Sequence, residues 1–348
     1  MNSFGRLFRV NIFGESHGES AGINIDGCPA GLSLSVEDFL EDIERRKGGT
    51  QKGTTPRKED DLPIFKSGVF NGKTTGAPIT ILFENKNTRS GDYEKQRAVP
   101  RPGHADFVAH AKFGGYEDYR GGGHFSGRLT VCLVAAGVIA KKLLGQLAIH
   151  SPKNLDETAI PSQKIAVVAT ILEIGGEQDL EKGLQKAIDQ KDSIGGIVEC
   201  RVSGLPVGLG EPFFDSVESV ISHAVFAIPA IRGVEFGTGF AAAKMFGVQH
   251  NDAIEDTTGK TITNHAGGVV GGISNGNEVV FRIAVKPTSS TPKEQQTFNW
   301  ETGAVESFSV KGRHDLCIAL RVPVVLEAVT AMVLADLLML EHHIKRIL

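Results

Sequence analysis

The sequence has few of the residues that nucleic-acid-binding proteins need. It holds one Trp and three Tyr in 348 residues, too few for the aromatic platforms on which unpaired bases stack. Its formal net charge is -4 at pH 7, so it lacks the overall positive field that attracts a phosphate backbone. These shortages argue against general binding of DNA or RNA, but they leave room for a local basic pocket.

Cysteine is scarce too, and its spacing argues against a zinc site. The four cysteines, Cys28, Cys132, Cys200 and Cys317, lie far apart and form no Cys-x-x-Cys pair. We expect buried, free thiols in a reducing cytoplasm. The N-terminal residues Met-Asn-Ser-Phe-Gly-Arg include no apolar stretch, so we expect no signal peptide.

Two well-known nucleotide-binding motifs are missing, although glycine is abundant, with 42 of the 348 residues. The glycine-rich segment from Asn264 to Gly276 does not fit Gly-x-Gly-x-x-Gly at the start of a helix. It also lacks the Gly-Lys-Ser/Thr of a P-loop. The sequence therefore supports neither a Rossmann nor a Walker-type site.

The long apolar segments are of a kind found in buried cores. Val322 to Leu340 carries Glu327 and Asp336, so we expect a core helix and no membrane span. Leu129 to Leu147 is apolar on nearly all faces, and Gly137 allows a neighbour to approach closely. Two such helices, with strand-like runs on either side, predict an α/β protein whose helical layer is covered on more than one side.

The most chemically varied stretch runs from Arg101 to Arg128. It opens with an Arg-Pro-Gly turn that presents His104 and passes through three glycines at positions 121–123. Arginine grips phosphate and carboxylate, histidine moves protons near neutral pH, and glycine lets the backbone approach a ligand. This stretch predicts an anion site with acid–base capacity. The alternative is a surface loop with turn glycines and a solvated histidine.

Three other segments carry candidate functional residues. His17 follows a strand-like run, either in a reactive loop or in an ordinary turn. The run Lys286 to Ser290 places a lysine beside three hydroxyls, as in a phosphate cradle, although such runs are often plain loops. Asp315 follows an arginine and a histidine, so a cation and a carboxylate flank one imidazole.

A helix with a cationic end is predicted between Ser35 and Gly49. Its acidic residues lie early, and Arg45, Arg46 and Lys47 lie late, as the helix macrodipole favours. One interpretation is that this preference alone explains the pattern. The other is a functional cationic cluster that continues through Lys52, Arg57 and Lys58.

Five segments, in this order, resemble motifs of chorismate synthase, and the similarity spans essentially the whole chain. They are Gly14-Glu15-Ser16-His17-Gly18, Arg101-Pro102-Gly103-His104-Ala105-Asp106, Asn264-His265-Ala266-Gly267-Gly268, Lys286-Pro287-Thr288-Ser289-Ser290 and Gly312-Arg313-His314-Asp315. The resemblance implies a lyase of the shikimate pathway that makes chorismate from 5-enolpyruvylshikimate-3-phosphate. The implied reaction is a 1,4-anti elimination of phosphate that requires reduced FMN without net redox change.

The resemblance also implies roles for individual residues. His104 would be the acid toward the departing phosphate, His17 would lie near the flavin ring, and Asp315 would support the base. The cations implied to hold the substrate are Arg46, Lys52 and Arg101. The residues implied to bind the flavin are His124, Phe125, Ser126, Ala230, Gly271, Lys286, Pro287, Thr288, Ser289, Ser290 and Arg313.

The chain departs from the commoner family pattern at two places. Many members read Arg-Ser-Ser-Ala-Arg-Glu-Thr after the glycine triplet, whereas this chain reads His-Phe-Ser-Gly-Arg-Leu-Thr from His124 to Thr130. Lys52 stands where arginine is usual, and lysine offers a point charge in place of a planar fork. We expect the same reaction. The properties that these substitutions would affect most are the affinity for FMN and the pH dependence of the reaction.

The fold implied by the family is a single α/β domain over residues 1–348. It is a β-α-β sandwich, with a helical core between two largely antiparallel sheets. The implied protein is a cytoplasmic homotetramer that is associated with FMN and NADP and has no nucleic-acid or membrane partner. Its reduced flavin would come from elsewhere, because the length leaves no room for a reductase domain.

Two other functions stay open at this point. The first is a metal-dependent phosphohydrolase that uses His17, His104 and nearby acids. The second is a flavin-binding protein without activity, in which His124 and Phe125 mark lost catalysis. His110 is not at a helical zinc-site spacing from His104 and is predicted to be structural.

Overall fold

A computed structural model describes residues 2–49, 52–55, 59–86, 97–147, 164–310 and 314–343. The helices are α1 (Glu37–Arg46), α2 (Asp106–Phe113), α3 (Thr130–Leu147), α4 (Leu180–Gln190), α5 (Val217–Val225), α6 (Gly247–His250) and α7 (Val322–His343). The strands are β1 (Ser3–Phe4), β2 (Arg9–Gly14), β3 (Ser20–Asp26), β4 (Ile64–Ser67), β5 (Val69–Phe70), β6 (Lys73–Thr74), β7 (Ile79–Glu84), β8 (Ala166–Ile174), β9 (Gly196–Ser203), β10 (Ile231–Phe236), β11 (Val269–Val270), β12 (Ile273–Ser274), β13 (Val279–Val285), β14 (Gln295–Asn299) and β15 (Ala304–Phe308).

Two antiparallel sheets form the outer layers. The first has the strand order β1-β2-β3-β7-β4, and the second has the order β10-β13-β9-β8. Alternate residues of the central strands are buried, as in Val198, Cys200 and Val202 of β9. This alternation turns one face of each sheet toward the interior, because successive side chains of a strand point to opposite faces.

The helical layer lies between the two sheets. Helices α3 and α7 pack against each other, α3 contacts β2, β3 and β7, and α7 contacts β8 and β9. Both helices are apolar all round because each is covered on more than one side. The predicted β-α-β sandwich is confirmed, and so is the prediction of two buried helices.

The two core helices touch backbone to backbone at Gly137. A Cβ on this residue would lie 2.2 Å from the Cβ of Ala328 in α7. Any side chain larger than hydrogen would therefore force α3 and α7 apart. This confirms the close approach predicted from the sequence.

Segments Gly127–Leu147 and Ile318–His342 are long and apolar enough to cross a membrane by length and composition alone. In this fold they are core helices, and the charges on α7 have internal partners. Glu327 accepts hydrogen bonds from Arg45, Lys141 and the backbone of Ala169. These bonds tie α7 to α1, α3 and β8.

Asp336 serves the other end of α7 in the same way. Its carboxylate accepts hydrogen bonds from the backbone N–H groups of Arg6, Leu7 and Phe8, at 2.7–3.0 Å. The turn before β2 is thereby fastened to the core helix. Both acidic residues that interrupt the apolar sequence are thus structural.

All four cysteines are free and buried, as predicted. Burial raises the pKa of Cys28 to about 11 and the pKa of Cys132 and Cys200 to about 12. The thiolate, which is the reactive form, is therefore scarce at neutral pH. These thiols are packing residues of the core.

Candidate active site

The glycine triplet brings two distant histidines together. Gly121, Gly122 and Gly123 all have positive φ angles, 62°, 84° and 52°. A Cβ on Gly121 would lie 2.4 Å from the ring of His17, and a Cβ on Gly122 would lie 2.9 Å from the ring of His104. The two imidazole rings therefore pack directly against consecutive glycines. This packing requires residues that have no Cβ.

The loop that carries His17 is fixed to the same triplet. The backbone N–H of Ser16 donates to the carbonyl oxygen of Gly123 at 3.1 Å. The pKa of Asp118, which precedes the triplet, is lowered by the hydrogen bond from Arg120 and, to a lesser extent, by the charge of His17.

His104 is oriented by the first residue of α2. Its Nδ1 lies 2.5 Å from Asp106 Oδ1. Arg101 Nη2 is also 3.0 Å from Nδ1, but the arginine and a protonated Nδ1 are both donors. The shorter contact, to an oxygen that can only accept, places the hydrogen on Nδ1. Nε2 then remains available for proton exchange with a ligand.

Asp106 is in turn held by Arg101. The guanidinium donates to both carboxylate oxygens, at 2.7 and 2.8 Å, and to Ser290 Oγ at 3.2 Å. Burial alone would raise the pKa of Asp106, but hydrogen bonds from Arg101 and His104 outweigh it and hold the pKa well below its usual range. Asp106 is therefore ionised at neutral pH and can accept the hydrogen on His104 Nδ1.

The run Lys286 to Ser290 lies against the turn that presents His104. Lys286 Nζ and Ser289 Oγ both donate to the carbonyl oxygen of Gly103, at 2.5 and 2.7 Å. The backbone oxygen of Ala230 accepts from the N–H of Lys286 at 2.9 Å. Three segments that are far apart in the sequence thus meet at one turn.

This run has the character of an anion site. Burial lowers the pKa of Lys286, and the positive charge of Arg232 lowers it further. Among the described residues Arg232 has no acidic partner within salt-bridge distance, and the buried hydroxyl of Thr288 has no hydrogen-bond partner. A bound phosphate would relieve the repulsion between the cations and would satisfy the hydroxyl.

Comparisons with known proteins show which family the chain resembles. The family model described as chorismate synthase matches residues 8–339. The chorismate synthase of Chitinophaga pinensis is 71% identical over 347 residues, which cover 100% of this chain and 99% of that protein. The chorismate synthase of Methanocaldococcus jannaschii is 41% identical over 364 residues, covering 97% and 96%.

The chain belongs to the chorismate synthase family. A solved structure described as a crystal structure of chorismate synthase matches with a TM-score of 0.71 and 26% identity, covering 97% of this chain and 93% of that one. The resemblance inferred from five motifs is confirmed. Members of the family are carbon–oxygen lyases of the shikimate pathway that convert 5-enolpyruvylshikimate-3-phosphate to chorismate and require reduced FMN.

The described residues fit the phosphate group of that flavin. The buried Thr288 hydroxyl and the two neighbouring cations, Lys286 and Arg232, supply a donor and positive charge. Ala230 lies beside them with a φ of 75°. Arg313, another predicted flavin ligand, lies outside the described residues. Gly271 is exposed in the β11–β12 turn, and no described contact joins it to this cluster.

The segment after the glycine triplet, where the sequence departs from the commoner family pattern, forms an aromatic cluster. The rings of His124 and Phe125 are stacked, with centroids 4.3 Å apart, and Phe113 of α2 lies 5.4 Å from His124. Ser126 Oγ accepts from the N–H of Arg128 at 3.3 Å. The residues that depart from the expected pattern are thus packed against one another and against α2.

Arg46, predicted to hold the substrate, is a buried residue of the core. It donates to Thr130, to Asp61 and to the carbonyl oxygens of Gly127 and Arg128, at 2.9–3.1 Å. Burial, with a smaller effect of Arg321, lowers the pKa of Arg46 to about 9. It therefore stays charged at neutral pH, with its donors already engaged.

Asp61 is a site-supporting residue that the sequence analysis missed. Its carboxylate is fully buried and pairs with both Arg46 and Arg128. Arg128 also donates to Asn85 Oδ1 at 2.8 Å. The three charged residues hold the segment after the glycine triplet against α1. Asp61 belongs to the acidic run 59–61, and acidic runs are usually exposed to solvent. The sequence therefore gave no indication that this aspartate is buried.

The remaining predicted residues lie on a neighbouring loop. Asp315 accepts from the N–H of Thr55 at 2.8 Å and from Arg321 at 3.0 Å. Lys52 is exposed, and its ammonium lies 3.1 Å from Gln185 Oε1. Asp315 thus anchors the loop that carries Lys52. No described contact joins Asp315 or Lys52 to His104.

The Gly121→Ala variant is expected to lose at least about 90% of chorismate formation. Its Cβ would collide with the His17 ring, and displacing a site group by about 1 Å can cost a hundredfold in rate. Gly72→Ala is the matched control, because Gly72 has a similar φ of 69° but open space around its Cβ. Turnover assays of both variants separate the effect of the collision with His17 from the backbone strain that any alanine at a positive φ causes. Equal activity of the two variants would contradict the contact between Gly121 and His17.

Proposed function

We propose that this chain converts 5-enolpyruvylshikimate-3-phosphate to chorismate by 1,4-anti elimination of phosphate, with reduced FMN. The observation that carries the proposal is the convergence of His17, His104 and the Lys286–Ser290 run on the glycine triplet and the Gly103 turn. Membership of the chorismate synthase family supports the same reaction.

His104 is the proposed proton donor to the departing phosphate. Its Nδ1–H is held by Asp106, so Nε2 carries the exchangeable proton. The ionised Asp106 keeps the ring oriented before and after the proton transfer. Asp106 is thus a positioning residue, and Arg101 positions it in turn.

The other roles follow the same geometry. When bound, reduced FMN supplies electron density that helps the phosphate to leave and is recovered as the proton on carbon 6 departs. His17 is proposed to lie near the flavin ring, and Asp315 to support the base. Lys286, Ser289 and Thr288 are proposed to hold the flavin phosphate.

The remaining cofactor and substrate roles also stay proposals. For the flavin we propose His124, Phe125, Ser126, Ala230, Gly271, Pro287, Ser290 and Arg313. For the substrate we propose Arg46, Lys52 and Arg101. Arg46 and Arg101 already bind Asp61 and Asp106, so we propose that they act mainly by holding the loops around the substrate.

An anaerobic assay tests the proposed function. Purified protein is mixed with 5-enolpyruvylshikimate-3-phosphate and chemically reduced FMN, and chorismate is measured by its absorbance. We expect product with reduced FMN and none with oxidised FMN. FMN binding without any product would favour the inactive flavin-binding protein instead.

A metal-dependent phosphohydrolase gains no support from the structure. No group of three or more His, Cys, Asp or Glu side chains in the described part of the chain is arranged to hold a metal ion. The same assay tests this alternative, since release of phosphate from simple esters without flavin would favour it.

We also propose a homotetramer. The region from 207 to 270 exposes large apolar side chains, among them Phe213, Phe214, Phe240 and Phe246, which are 77–92% exposed. An apolar surface of this kind is typical of an interface. Sedimentation equilibrium should give the mass of four chains, and a monomer at micromolar concentration would refute the proposal.

Membership of the family is also the basis for proposals on the domain, the cellular location and the supply of reduced flavin. We propose one catalytic domain over residues 1–348, in the cytoplasm, with NADP association and reduced FMN supplied from outside the chain. One continuous core that includes both sheets, α3 and α7 supports the single domain.

A further inference from the structure

A cleft beside His104 is lined by a glutamate that has one carboxylate oxygen without a hydrogen-bond partner among the described residues. The cleft lies next to α2 and the glycine triplet, and its lining includes His104, Glu117 and Trp300. Glu117 Oε1 is 3.1 Å from His110 Nδ1. Glu117 Oε2 is buried, and within the described residues it has no hydrogen-bond partner. A buried acceptor in this state costs free energy until a donor reaches it.

The structure holds Glu117 firmly in this position. His110, which contacts the other oxygen, is stacked on Trp300 with ring centroids 4.7 Å apart and an angle of 23°. Only 12% of the Glu117 side chain is exposed. The two oxygens therefore have separate environments, one facing the imidazole of α2 and one left for another donor.

Arg97 is a cation in the same cleft, but it is engaged elsewhere. Its guanidinium lies over the ring of Tyr119, 5.6 Å from the centroid. Among the described ion pairs, the partner of Glu117 is His110 and not Arg97. Arg97, the arginine that lines the cleft, therefore forms no described ion pair with Glu117.

We propose that Glu117 is a ligand-binding residue whose Oε2 accepts a hydrogen bond from a neutral O–H or N–H group. The inference rests on the proposed function, which brings two such ligands to the site. A carboxylate repels phosphate and carboxylate groups, which the cations Lys286 and Arg232 attract instead. A substrate hydroxyl and a flavin ring N–H are neutral donors and match the oxygen.

Binding measurements on Glu117→Gln test the proposal without turnover. FMN binding is followed by flavin fluorescence, and binding of 5-enolpyruvylshikimate-3-phosphate by calorimetry, with and without oxidised FMN. We expect one of the two dissociation constants to rise by about ten- to a hundredfold, as for a lost hydrogen bond to a charged group. A weaker FMN complex assigns the donor to the flavin, and a weaker substrate complex assigns it to the substrate hydroxyl.

Glu41→Gln is the matched control, because Glu41 is exposed on α1 and its loss removes the same charge. It should leave both dissociation constants unchanged. If Glu117→Gln is folded by circular dichroism and binds both ligands as tightly as the wild type, Oε2 meets only water and the proposal is overturned. Absence of chorismate from the wild type would refute the proposed function separately, since the binding comparison needs no turnover.

Discussion

Replacing His104 by alanine is expected to lower chorismate formation by about a hundred- to ten-thousandfold, the usual contribution of a positioned acid. Asp106 holds Nδ1 of the His104 imidazole, so Nε2 is left for proton transfer. The loss should appear in kcat, because the ring is proposed to act on the leaving phosphate. Steady-state kinetics under anaerobic conditions, with reduced FMN in excess, measure it.

Two further variants control this result. His342→Ala removes a histidine near the end of α7 and should leave the rate unchanged. Asp106→Asn removes the charge that orients His104 and should lower kcat with a changed pH–rate profile, which a merely structural role would not produce. If His104→Ala retains more than a tenth of the wild-type kcat, His104 is not the acid.

Replacing Asp61 by alanine is expected to destabilise the fold by about 3–5 kcal/mol, because it leaves buried charges without a counter-charge. Arg46 and Arg128 both lose their carboxylate partner, and both are almost completely buried. Urea unfolding at neutral pH measures the change. The exposed pair of Arg9 and Asp26 is the control, and Asp26→Ala should change stability little.

The effect of Asp61 depends on pH in a defined direction. Burial alone would raise its pKa, but Arg46 and Arg128 outweigh burial and lower the pKa. The carboxylate therefore contributes stability above its unfolded pKa, and the contribution is lost as the pH falls through the lower folded pKa. The stability gap between wild type and Asp61→Ala should narrow only in acid. A gap that is constant down to acid unfolding would contradict the ion-pair account.

Local sequence patterns predicted three of the helices, α1, α3 and α7. The apolar runs at 129–147 and 322–340 predicted the two core helices, since a helix covered on several sides has no polar face. Acidic and basic ends predicted α1. These features depend on neighbours in the sequence, so they could be inferred from the residues alone.

Local sequence patterns do not reveal which distant residues meet in the fold. The family resemblance and the structure each supplied part of that information. The sandwich of two antiparallel sheets came from the resemblance, because strand pairing joins residues that are far apart in the chain. The order of the strands came only from the structure. The resemblance also singled out His17 and His104. It did not show that they rest on Gly121 and Gly122, since that depends on long-range packing.

By itself the sequence determined the core helices and the buried thiols, which follow from residue type and local spacing. The resemblance to the family, and not local spacing, singled out the candidate histidines. Only the tertiary structure decided which charges are internal. Arg46 and Asp61 are buried partners, whereas the carboxylate of Glu117 faces a cleft with one oxygen unsatisfied. The physical reason is that the state of a charged group depends on burial and on partners that the fold brings from distant parts of the chain.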